Sequence, residues 1–135
     1  MRILLLVLTL SLSAFTHHAF SADITMDECN TRVAEMNATL PMALDDITTW
    51  ISTTCVDQGN DAIQLVYVNH VKDGNAITQT ELDAVRPSVL MSWCFGPDLF
   101  PLIQIVDAVN YQYDFENGQH IGELNFSYQD CIAQP

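Results

Sequence analysis

The chain has 135 residues, with 17 acidic against four basic side chains and a formal charge of −13. That length suits one domain with a real but modest core. So acidic a surface repels phosphate backbones and anionic headgroups, which argues against nucleic acid or a charged membrane surface as partner.

The N-terminus reads Met1-Arg2, then the apolar run Ile3 to Leu10, then the small-residue exit Ala19-Phe20-Ser21. This is the pattern of a cleavable secretory signal. It predicts a signal peptide over residues 1–21 and a single α+β domain over 22–135. The apolar stretch is too short to span a bilayer, and no later segment predicts membrane insertion. Past the signal, Arg32, Lys72 and Arg86 stand against 17 acids, a balance of −14. The acids are spread without a run, as on a solvated surface. Cys29, Cys55, Cys94 and Cys131 all follow the signal and include no C-x-x-C pair. In an exported chain they predict two disulfides, and spacing leaves all three connectivities open.

The first helix is predicted over about residues 26–39. Thr25-Met26-Asp27-Glu28 forms a capping box at its start, and Cys29, Val33, Met36 and Leu40 recur at helical spacing. Pro41 ends it. Residues 47–56, rich in Thr, Ile and Trp, predict a strand. Asp57-Gln58-Gly59-Asn60-Asp61 is turn chemistry, and 62–71 predicts a second strand. That strand is apolar on both parities, so it is expected to be central and covered on much of both faces. A second capping box, Thr78-Gln79-Thr80-Glu81, opens a helix whose apolar face carries Leu82, Val85, Val89, Leu90, Trp93 and Cys94, with Pro87 inside it. A short turn over Leu99 to Ile103 follows Asp98.

The last third predicts a β-hairpin from Val109 to Tyr128. Val109, Tyr111, Tyr113 and Phe115 alternate with polar residues, as do Leu124, Phe126 and Tyr128 across the turn. A two-residue type I′ turn at Asn117-Gly118 makes paired positions sum to 235. Tyr111 then faces Leu124, Val109 faces Phe126, Gln112 meets Glu123, and His120 lies opposite Phe115. Tyr111, Leu124 and Phe126 are expected to pack near Val85, Val89 and Trp93. The predicted fold is α-β-β-α-β-β, a four-stranded antiparallel sheet with helices on one face.

The candidate chemistry is sparse. The segment from Asp73 to Glu81 resembles the back half of a calcium loop, but no alignment supplies ligands at positions 1, 3 and 5, glycine at 6 and glutamate at 12. It reads as a turn and a capping box. His70 and His120 lack the i, i+4 pairing of a metal site and read as strand-end residues. Ser52, Ser88, Ser92 and Ser127 have no nucleophile elbow around them, and Asp45-Asp46 reads as a solvated loop. No cofactor motif and no catalytic constellation emerges. The strip Tyr111, Tyr113, Phe126 and Tyr128 reads as core rather than ligand platform. The polar loops offer the partner-binding candidates Asp57, Asn60, Asp61, Lys72, Asp73 and Asn75.

A run of landmarks in the second half carries a resemblance. It comprises Leu82 to Cys94, Pro97-Asp98-Leu99 with Pro101-Leu102-Ile103, Tyr111-Gln112-Tyr113-Asp114, Gly118, Ile121-Gly122-Glu123 and Asp130-Cys131. Together these are similar to the quorum-sensing-regulated virulence factor family of small exported bacterial proteins. The resemblance implies a bacterial envelope or secreted setting and transfers no catalytic residue. Cys94 is expected to pair with Cys131, tying the second helix to the last strand, and Cys29 with Cys55, tying the first helix to the first strand. The expected function is that of a periplasmic or extracellular non-enzymatic accessory protein that binds a protein partner. Two alternatives are an acidic hydrolase-inhibitor or immunity-type protein and a small enzyme with a site assembled only in the fold.

Overall fold

The computed structural model describes residues 23–133, so the expected signal peptide lies outside the described residues. Its order is α1 (Met26–Asn37), β1 (Met42–Ala43), β2 (Thr48–Gly59), β3 (Ala62–Val71), α2 (Gln79–Phe95), α3 (Phe100–Ile103), β4 (Ala108–Phe115), β5 (His120–Phe126) and α4 (Tyr128–Ile132). The fold is α+β, with one five-stranded sheet in the order β1-β2-β3-β4-β5. Two expectations are corrected here. The two-residue β1 adds a strand, and β3 and β4 run parallel, so the sheet is mixed rather than a four-stranded antiparallel one. The reason is the length of the crossover. At 1.5 Å per residue, the 17 residues of α2 span about 25 Å and return the chain to the end where β3 began. Asp107 fixes that return: its backbone N–H donates to the Ile63 carbonyl at 2.9 Å, and its carboxylate accepts from the Ile63 N–H at 2.6 Å.

Local chemistry explains the helix ends. Glu28 accepts from the Thr25 N–H at 2.9 Å, and Glu81 from the Thr78 N–H at 2.8 Å. The Thr25 N–H holds Glu28, and the Thr78 hydroxyl first and its N–H after it hold Glu81, below the usual carboxylate range. A third capping box, Ser127 with Asp130, turns the chain into α4. Tyr128 and Cys131 therefore stand on a short helix, and the hairpin strand ends at Phe126.

The hairpin register holds from Val109 opposite Phe126 to Tyr113 opposite Gly122, then shifts by one, so His120 faces Asp114 instead of Phe115. His120 Nδ1 lies 2.7 Å from Asp114 Oδ1. The cause is the turn. Gly118 takes a φ of 90°, but Asn117 is not among the positive-φ residues, and the Gly118 N–H donates to the Phe115 carbonyl at 2.8 Å. The strain falls on glycine alone, so this is not the expected type I′ turn. That geometry appears in the β2–β3 hairpin, where Asn60 and Asp61 have φ of 52° and 62°.

All helices lie on one face of the sheet. β3 buries Ile63, Leu65, Tyr67, Asn69 and Val71 on that face, while Gln64, Val66, Val68 and His70 on the other are only half-buried. β3 is thus the central strand of the sheet, buried on one face and half-buried on the other. Trp93, Leu65, Ile103, Leu124 and Val109 form the sealed centre of the core. The disulfides join Cys29 to Cys55 and Cys94 to Cys131. They anchor α1 to β2, and α2 to the short helix α4.

Candidate functional site

The helices do not meet over the whole inner face. α1 lies on the β2 side and α2 on the β5 side, and between them a cleft walled by Met36 of α1 and Leu102 of α3 remains over the sheet. Alternation sends Trp50, Tyr67, Asn69, Tyr111 and Tyr113 to this face, because Trp50 and Tyr113 flank Asn69 and Tyr111 flanks Tyr67 in the register. The result is a cleft of about 360 Å³ floored by Trp50, Tyr67, Asn69 and Tyr111 and walled by Met36, Leu44, Leu99, Leu102 and Asp98. It lies within the size range of ligand pockets. A second hollow of about 250 Å³ shares Leu44 and continues past Tyr113 and Val71 to Ile77, Leu82 and Val85 under α2, with Asp45 and Glu81 beside it. Leu44 and Val85, exposed by 52% and 48%, stand at this opening. Val85 was expected to be core and instead lines the groove.

The floor is rigid. Tyr67 and Tyr111 stack with centroids 4.9 Å apart, Trp50 lies 5.5 Å from Tyr67, and Trp93 meets Tyr111 edge-on. The Trp93 Nε1–H donates to the Tyr111 hydroxyl at 2.9 Å. Burial pushes the Tyr111 hydroxyl up to about 12 and raises Tyr67 further, so both remain neutral. Burial, and then the Asp45 carboxylate, raises Tyr113 as well. Hydrogen bonds from the Ile47 and Thr48 N–H groups in turn hold Asp45 low, so its loop carries a fixed negative charge beside the second hollow.

Asn69 is the anomaly. It is 1% exposed, and its Nδ2 has no hydrogen-bond partner among the described residues. An unsatisfied buried amide destabilises a fold by about 1–3 kcal/mol. It occupies the one polar position in the inward series Ile63, Leu65, Tyr67, Asn69, Val71.

The sheet edges, by contrast, are closed where strand addition would need them open. The Asn37 side chain donates to the Thr53 carbonyl and accepts from the Thr53 N–H, both at 2.8 Å. Gln79 does the same to Glu123 of β5, at 2.8 and 2.9 Å. Each amide imitates a neighbouring strand and covers an edge. Gly122 makes the second possible, since a Cβ there would stand 2.2 Å from Gln79 Oε1.

The structure divides the partner-binding residues named from sequence between the two ends of β3. Asp57, Asn60 and Asp61 form the tip of the β2–β3 hairpin, where Asp57 Oδ1 accepts from the Gly59 N–H at 2.7 Å. At the other end, Lys72 Nζ donates to the Asp46 carbonyl, Asn75 Nδ2 donates to the Lys72 carbonyl, and Asp73 Oδ1 accepts from the Asn117 N–H. The ten residues of β3 set the groups roughly 30 Å apart. They do not form one site, and none of them lines the aromatic cleft. Among the described residues, no group of three or more His, Cys, Asp or Glu side chains is placed to hold a metal ion. No helix among them is long and apolar enough to cross a membrane.

No protein-family model matches the chain, and no curated protein matches it in sequence. The virulence factor family named from the sequence is therefore not shown. Solved structures do share the fold. A Pseudomonas aeruginosa protein designated as secreted matches with a TM-score of 0.62 at 17% identity, over 78% of this chain and 91% of that one. The pilotin of the Vibrio vulnificus type 2 secretion system matches with a TM-score of 0.57 at 13% identity, over 82% of this chain and 92% of that one. The chain is similar to both in architecture.

Proposed function

We propose that this chain is an exported, non-enzymatic accessory protein of the bacterial envelope or its surroundings, and that it receives a protein partner in the aromatic cleft. The observation that carries the reading is the open inner face. A rigid apolar floor and an exposed Leu44 are features that a core would seal and an interface keeps. The fold neighbours, one designated as secreted and one a secretion-system pilotin, favour an envelope setting. Two disulfides suit an oxidising compartment.

The test is capture of partner from the producing organism's envelope extract by the wild type and by Leu44→Asp. Leu44 is half in solvent, so the variant is expected to melt like wild type and to lose at least about tenfold in capture, as for an interface anchor. Undiminished capture by Leu44→Asp contradicts the reading. The exposed acidic hairpin tip, with Asp57 and Asp61, favours a second reading, an inhibitor or immunity-type protein directed at a basic target. Loss of capture by Asp57→Ala/Asp61→Ala, with Leu44→Asp unaffected, would select it.

A further inference from the structure

The proposed function leaves open what the cleft recognises, and the inference here rests on that reading. The geometry points to Asn69 as the specificity-determining residue of the cleft: it receives one uncharged hydrogen-bond acceptor, on an apolar partner segment flanked by basic residues. Three observations converge on this occupant.

The first is the amide itself. Asn69 lines the cleft, is 1% exposed and carries an Nδ2 with no partner among the described residues, so an acceptor that enters the cleft and displaces the side chains covering the amide completes it. A donor that is unpaired in the free protein and paired in the complex favours ligands that bring an oxygen over those that bring only hydrocarbon. The second is the rest of the lining. Met36, Trp50, Tyr67, Leu99 and Leu102 offer apolar and aromatic surface, and Tyr67 and Tyr111 stay neutral through the ordinary pH range. The body of the occupant is therefore apolar, and its acceptor is a carbonyl or amide oxygen.

The third is the charge at the rim. Asp98 borders the cleft, and Asp45 and Glu81 border the hollow that continues it. Beyond Asp98, a further hollow adds Glu35 beside one cation, Arg32. Lys72, the cation next to the Asp45-Asp46 loop, is tied to the Asp46 carbonyl at 2.7 Å. Asp98 at the opening, with Asp45, Glu81 and Glu35 in the adjoining hollows outnumbering Arg32 and Lys72, makes a negative surround that repels an anionic ligand such as a fatty acid and attracts Lys or Arg on either side of the inserted residues.

The experiment is panning of random peptides displayed on phage against the mature protein, with every enriched peptide then measured on wild type, Asn69→Leu and Leu44→Asp. Asn69→Leu keeps the side-chain volume and removes the unpaired amide. It is expected to melt at or above the wild-type temperature while binding the enriched peptides at least about tenfold more weakly. The peptides are expected to combine apolar residues with Lys or Arg. Equal binding to Asn69→Leu by peptides that still require Leu44 overturns this inference and leaves the partner reading standing, as does enrichment of acidic peptides. Failure to enrich any peptide that requires Leu44 overturns both.

Discussion

One sheet face carries two different interiors. Toward β5, Val109, Leu124 and Phe126 are sealed under α2, whose end is tied to α4 by a disulfide. Toward β2, the same alternation delivers Trp50, Tyr67 and Asn69, and a cleft walled by Met36 of α1 and Leu102 of α3 remains beside them. Alternation alone decides which side chains face inward, while helix placement decides which become core. At the boundary between the two sides, the Trp93–Tyr111 hydrogen bond pairs two polar groups with each other. The open side leaves one amide without a partner among the described residues. That difference separates a part of the molecule sealed for stability from the part to which we assign recognition.

The largest effect is expected on the sealed side. Phe126 is 2% exposed, stacks edge-on with Tyr111 and lies under the Arg86 guanidinium at 4.9 Å. Phe126→Ala is expected to destabilise by about 3–5 kcal/mol in urea melts. A loss below about 1 kcal/mol would erase the distinction between the two sides.

A smaller effect tests the edges that frame both sides. Asn37→Ala leaves the N–H and carbonyl of fully buried Thr53 without their partner and is expected to destabilise by about 1–3 kcal/mol. The same amide lies in the Asn37-Ala38-Thr39 sequon, so a glycan there would break the clamp. Wild-type melting of Asn37→Ala would show that the edge does not depend on it.

The smallest effect lies at the boundary between the two sides and is read by pH. Burial raises Tyr111 from 10.0 to about 12, so the fold favours its neutral form. The contribution is complete below pH 10 and is lost as pH rises toward 12, because only the unfolded chain ionises freely there. Tyr111→Phe is expected to show a flatter stability profile across that alkaline window in denaturant titrations. Identical slopes would mean that Tyr111 is not enclosed as described.

The hairpin was readable from sequence because its information is local. Alternation and a turn fix the pairing from Val109 to Tyr113 within a few residues. The parallel pairing of β3 and β4 was not, because it depends on how far α2 carries the chain back rather than on either strand's composition. Two short-range signals were misassigned. Asn117-Gly118 resembles a type I′ turn, yet a single glycine in the left-handed region suffices there. Ser127 and Asp130 form a capping box that strand alternation through Tyr128 concealed. The cleft was half visible. Asn69 interrupts an otherwise apolar inward series, a signal available to a parity count, whereas the gap between α1 and α2 exists only in three dimensions. In the polar loops named from sequence, Asp57 and Asn75 bond to backbone groups of their own loops.

The most direct test of the central claim is photo-crosslinking in the producing organism. Benzoylphenylalanine would replace Leu44 at the cleft mouth, and in a separate variant Val56, which is 37% exposed on the opposite sheet face. A discrete protein adduct from position 44 and none from position 56 is the expected result. An adduct from position 56 with none from position 44 would contradict the account.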